Sequence, residues 1–185
     1  MKSRKWLYLL FSSGIILILL PGWKENNHFD PLQNPEYKIG QNFGGGIIFY
    51  LDSSGQHGLI AAPIDQSAAA KWGCSGIKIS GISTEIGTGK GNTKSIVKEC
   101  KEAGIPARIC DDLVLSGFSD WFLPSKEELN LMYRHRKVIG GFANSPYWSS
   151  SQFNPFYAWL VYFLNGYEVY TDIFYAYHVR AIRAF

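Results

Sequence analysis

Apolar residues in this chain follow three different patterns. The first is a run of 15, Trp6–Leu20 (WLYLLFSSGIILILL), behind the basic stretch Met1–Lys5 and ahead of the helix breakers Pro21 and Gly22. A membrane-spanning helix needs ~20 apolar residues, so the shorter run with its basic flank matches an export signal instead. Residues 1–22 therefore read as a signal peptide or, if uncleaved, an N-terminal anchor, the chain's one expected route to a membrane. Residues 23–40 are polar and carry Pro31 and Pro35, the composition of a linker. Residues 41–185 remain as one domain.

The second pattern mixes short β-rich runs with amphipathic helices. IIFYLD (47–52) follows three glycines, and after a turn at Ser53–Gly58 the run LIAA (59–62) returns as a second strand, which predicts a hairpin. Ser75–Gly91 is rich in Gly, Ser and Thr and reads as a long surface loop. Asn92 is placed to cap a helix that runs to about Ala103, with Ile96, Val97 and Cys100 on one face and Gly104 as its stop. Ala107–Leu115 is a second short helix. Ser125 and Glu128 form a capping box for a third, which reaches about His135 and buries Leu129, Met132 and Tyr133.

From Phe142 onward the third pattern is aromatic, with 15 aromatic residues in 44 and four charges, Glu168, Asp172, Arg180 and Arg183. Ala158–Leu164 and Tyr167–Thr171 flank Asn165-Gly166, a two-residue hairpin signal, and Val179–Phe185 (VRAIRAF) reads as a closing strand. On the first arm Tyr157, Trp159, Val161 and Phe163 point one way and Ala158, Leu160, Tyr162 and Leu164 the other. Both faces are apolar, so one is expected to be core and the other open to a partner. Strands, then helices, then strands make an α+β domain.

Composition narrows the function. Hydrophobic residues are 46% and charged residues 18%, which excludes extended disorder. The net charge of +3 comes from Lys2, Arg4 and Lys5, so residues 23–185 are balanced and lack the basic field that nucleic acid requires. Cys74, Cys100 and Cys110 permit one disulfide with three possible pairings. TGKGNT (88–93) resembles part of a phosphate-binding loop but lacks its spacing, and the four histidines have no metal-ligand spacing. No cofactor is expected. Asp111, Asp112 and Asp120 are the candidate oxygen ligands for Ca²⁺, set against a reading in which Asp111 and Asp112 diverge and Asp120 caps a turn.

Two binding features remain. Tyr157, Trp159, Tyr167, Tyr170, Tyr175 and Tyr177 lie near turns or edges, where aromatic faces stack on sugar rings. Arg134 and Arg136, in the basic cluster 134–137, suit sulfate or carboxylate. Trp121 and Trp148 read as core anchors, Pro124 as the residue leading into the third helix, and Ser125 with Glu128 as its cap.

GGGIIFYLD (44–52), GLIAAP (58–63), KWGCSG (71–76), GTGKGNT (87–93), CDDLVLSGFSDWFLPSKEELNLMY (110–133), YWSSS (147–151) and VRAIRAF (179–185) together resemble the DUF1566 family, which includes the Lcl C-terminal domain. The resemblance covers about residues 40–185. It implies a C-type-lectin-like α+β fold, with short antiparallel strands, two to three helices and long loops, at an exported or cell-envelope location. For some members it implies binding of sulfated polysaccharides. No cysteine follows Cys110, so the cysteine pair used by an oxidase relative of that fold is missing. The expectation is a non-enzymatic adhesin-like domain that binds a glycan or a surface protein. The alternative is an envelope assembly module that docks a partner or forms a homo-oligomer through the aromatic face.

Overall fold

In the computed structural model, which describes residues 36–185, the β-rich run after the three glycines becomes β2 (Gly46–Leu51). It pairs antiparallel with β3 (Gly58–Ala61) and, across the Gly44-Gly45 turn, with the short β1 (Asn42–Phe43). A side chain at Gly46 would stand 2.1 Å from the Ala61 carbonyl oxygen, so only glycine lets these strands close. The last strand, β9 (Ile182–Ala184), pairs antiparallel with β3 and completes the order β1-β2-β3-β9. Tyr37 packs its ring 4.9 Å from both Phe43 and Phe185, and the Gly40 N–H donates to the Ile48 carbonyl. Residues 36–40, within the stretch read as a linker, thus pack against this sheet; residues 1–35 lie outside the described residues.

The second sheet has the order β4-β8-β5-β6-β7, with β4 at Ser67–Lys71, β5 at Pro146–Asn154, β6 at Tyr157–Tyr162, β7 at Glu168–Asp172 and β8 at Ala176–Val179. Its pairings are antiparallel except β5 with β8. Between β4 and β5 in sequence come α1 (Gly89–Glu99), α2 (Pro106–Asp111), α3 (Lys126–Arg134) and α4 (Arg136–Ile139). Strands and helices in separate runs make this an α+β domain.

Strand β6 shows why both of its faces are apolar. Ala158 and Leu160 enter one core with Trp72, Trp121, Trp148, Ile48 and Ile96. Val161 and Phe163 enter a second with Phe49, Leu129, Met132 and Tyr147. The expectation of one core face and one partner face is corrected: over Leu160–Phe163 both faces enter a core, and only the Tyr157–Trp159 end opens outward.

The hairpin register also differs from its expectation. Val161 pairs with Glu168, so Phe163–Tyr167 forms the loop rather than Asn165-Gly166 alone. The Phe163 N–H donates to Ser145, not to β7, and its buried ring lies 4.4 Å from Tyr147. A long-range packing site outcompetes the local turn signal. VRAIRAF is likewise not one strand; Val179 ends β8, and Arg180-Ala181 cross to the other sheet before β9.

Helix α1 begins at Gly89, not Asn92, and ends at Glu99, not Ala103. Asn92 is a buried clamp rather than a cap. Its amide donates to the Ser83 carbonyl at 2.7 Å and to Ser150 Oγ at 3.2 Å, and its oxygen accepts from the Ser83 N–H. Cys100 leaves the helix extended and forms a disulfide with Cys74, the pairing that the sequence had left open. Gly104 lies beyond this end, in a turn. Helix α2 stops at Asp111, short of Leu115. For α3 the capping box is present: Ser125 Oγ accepts from the Glu128 N–H, and Glu128 accepts from the Ser125 N–H.

The disulfide closes a segment of 26 residues that carries the long loop onto α1. Replacing Cys74 and Cys100 together by Ala should lower the unfolding free energy by about 3 kcal/mol. Denaturant midpoints measured under oxidising conditions check this; equal midpoints for parent and variant would contradict it.

Candidate ligand-binding surface

The outward end of β6 and its neighbours gathers four rings. Trp159 is directly opposite Tyr170 on β7, and Tyr157 is opposite Asp172, so these side chains share one face. Tyr170 stacks flat on Phe153 at 4.0 Å between centroids and meets Trp159 edge-on at 5.2 Å and Tyr157 at 6.1 Å. Phe153, Tyr157 and Tyr170 keep 49%, 39% and 47% of their surface exposed, whereas Trp159 is half-buried. The rings hold one another in offset and edge-to-face geometries, which fixes a pre-formed apolar surface. Phe153 was not among the expected residues. It follows register shifts on both sides of Gln152 in β5, and a period-two reading does not carry through such a bulge.

A polar margin adjoins the rings. Lys126, the first residue of α3, holds its ammonium 4.9 Å from the Trp159 ring centre, 2.7 Å from Glu168 and 3.0 Å from Glu127. Burial works against its charge, but the hydrogen bonds to Glu168 and Glu127 outweigh it and raise its pKa. The Asn130 amide donates to the other oxygen of Glu168.

The remaining expected residues are placed elsewhere. Tyr167 is exposed in the β6–β7 loop and makes no ring contact with the four. Tyr175 contacts Tyr177, and Tyr177 rests against Trp148 on β5, so these two form a separate pair around β8. Arg134 is exposed on the last turn of α3. Arg136 lies 4.0 Å over the Tyr133 ring and donates to the Tyr133 carbonyl. Tyr133 in turn packs under Gly166, so Arg136 is tied to the loop end of the hairpin. The structure thus divides the single expected surface into three.

Trp148 is buried, and its indole N–H donates to the Ala70 carbonyl. Trp121 is buried in the first core. The Pro124 carbonyl accepts from the Ser150 N–H at the start of α3.

The TGKGNT loop binds a carboxylate of its own chain. Glu128 Oε1 accepts from the Gly87 N–H at 2.8 Å and Oε2 from the Ser125 N–H at 2.7 Å, and a Cβ at Gly89 would stand 2.2 Å from Oε2. Burial pushes the Glu128 carboxyl above the usual range, against the pull of these N–H groups. The glycines therefore let the backbone close around Glu128, and the loop is scaffold.

The candidate Ca²⁺ ligands separate. Asp111 accepts from Lys94 at 2.6 Å, and Asp120 takes a two-point contact from Arg183 at 2.8 and 3.1 Å. Asp120 is an ion-pair partner rather than the turn cap expected. Among the described residues no three His, Cys, Asp or Glu side chains are grouped to hold a metal ion. A polar hub that the sequence did not suggest surrounds Asp65, which accepts from Arg180 Nε at 2.6 Å and the Tyr147 hydroxyl at 2.8 Å and bonds His178 Nδ1 at 2.8 Å. Arg180 also donates to the Ala62 and Gly141 carbonyls, so the hub joins the two sheets. The separation of Asp65 from His178 and Arg180, more than 110 residues, hid it.

A family model described as the Lcl C-terminal domain matches residues 65–183, from Asp65 of the hub into β9. No curated protein matches the chain.

Two stability tests follow from these contacts. Gly89→Ala should destabilise the domain by about 1–3 kcal/mol, because Glu128 must leave its backbone donors. Glu128→Gln should cost a similar amount by setting an amide N–H against a backbone N–H, and a melt in which either variant matches the parent would contradict the cradle. The second test concerns Asp120, whose carboxyl is held below the usual aspartate range chiefly by its hydrogen bonds to Arg183. A depressed folded-state pKa gives stability that is present above the unfolded value and lost as pH falls through the folded one. The stability gap between the parent and Asp120→Asn should therefore be widest near neutral pH and close in the acid range below the ordinary aspartate value. A gap independent of pH would contradict it.

Proposed function

The chain belongs to the Lcl C-terminal domain family, and from that premise we propose that it is an exported, non-enzymatic, lectin-like domain that binds a glycan or a surface protein. The observation that carries this reading is the exposed four-ring surface of Phe153, Tyr157, Trp159 and Tyr170. Contiguous apolar surface of this kind on a folded domain marks an interaction site, and aromatic faces suit the C–H faces of sugars.

Three further features support the reading. The C-type-lectin-like assignment draws on the meeting of the domain's ends, with Phe185 against Tyr37 and the second sheet inserted between β3 and β9. Export draws on the N-terminal apolar run and on the Cys74–Cys100 disulfide, which an oxidising compartment maintains. The non-enzymatic reading draws on the use of Asp65, Asp111, Asp120 and Glu128 in bonds that hold elements together.

A glycan array probed with the full-length chain, with and without sulfated polysaccharides, tests the reading. Trp159→Ala and Tyr170→Ala should each weaken binding about tenfold, equivalent to about 1.4 kcal/mol, while Tyr167→Ala leaves it unchanged. Absence of binding above background counts against glycan recognition. A stable homo-oligomer that protects these rings in crosslinking would assign the surface to assembly.

A further inference from the structure

Resting on the reading of the four rings as a glycan surface, we infer that this surface selects uncharged sugar rings and rejects sulfated ones. The reason lies in the charges around it. Lys126 is the cation over Trp159, and its ammonium is already shared between Glu168 and Glu127. At the other end of the same face stands Asp172, opposite Tyr157. Lys78 is exposed on the loop whose Ile77 carbonyl and Ile79 N–H hold the Gln152 side chain, one residue from Phe153. Three carboxylates therefore border the rings against two ammonium groups.

A sulfate placed over Trp159 or Tyr170 would have to take Lys126 from two carboxylates that already satisfy it, and would stay beside both. Like charges at that range repel, and burial of the Lys126 head lessens the screening by salt. A neutral pyranose meets no such penalty. Its C–H face covers Tyr170 and Trp159, and its hydroxyls donate to Glu168 and Glu127, whose oxygens keep lone pairs free beyond the bonds from Lys126 and Asn130. The side chains suited to sulfate, Arg134 and Arg136, belong to the far end of α3, where Arg136 is held on Tyr133.

The test titrates the full-length chain with matched oligosaccharide pairs, neutral and sulfated on the same backbone. The neutral member of a binding pair should bind at least about tenfold more tightly. Its affinity should change less than about twofold between about 20 and 150 mM salt. Trp159→Ala should weaken that binding about tenfold, and Glu168→Gln should narrow the preference for the neutral member. A preference for the sulfated member that Trp159→Ala abolishes overturns this inference while the ring-surface reading stands. A sulfated preference that responds to Arg134→Ala but not to Trp159→Ala, or no binding by any pair, overturns both.

Discussion

Three consecutive serines in the middle of a buried strand impose the constraint on which the domain depends. Ser149, Ser150 and Ser151 are all inaccessible, and each buried hydroxyl left without a partner would cost about 1–3 kcal/mol. Each is satisfied by a different part of the fold. Ser149 donates to the Trp159 carbonyl on β6, Ser150 to the Pro124 carbonyl ahead of α3, and Ser151 to the Ser83 carbonyl in the long loop. Ser151 also accepts from the Lys126 N–H at the first turn of α3. One strand thus fixes the loop, the helix and the hairpin relative to one another by hydrogen bonds that a purely apolar strand could not supply.

The ring surface is a by-product of that fixation. Lys126 is held by its backbone to Ser151 and by its side chain to Glu168, and it stands over Trp159, whose carbonyl Ser149 holds. The scaffold and the outward face therefore share residues. This explains why family-typical segments such as YWSSS and FLPSKEEL are themselves buried or half-buried while the rings they position are exposed.

Legibility in the sequence tracked the range of the deciding interaction. The capping box of α3 was readable because Ser125 and Glu128 act three residues apart. The β2–β3 hairpin was readable because its β-rich runs and the turn between them are local. The β6–β7 register was not, because Phe163 answers to Ser145 and Tyr147 rather than to the turn beside it. Asn92 has the chemistry of a cap, yet its partners on the loop and on Ser150 were out of sight. In the surface itself Trp159 and Tyr170 could be proposed from the hairpin pattern, whereas Phe153 depended on a bulge. The separation of Arg134 and Arg136 from the rings depended on which end of α3 meets the hairpin.

The pairing of β9 with β3 joins residues such as Ile60 and Arg183, the near and far reaches of the domain. Contacts so distant along a polypeptide close late and slowly, because the intervening loop must first be ordered. Until β9 arrives, β3 offers an unpaired border of amide and carbonyl groups, a template onto which another strand can pair. A nascent molecule of this kind stays open through most of its synthesis.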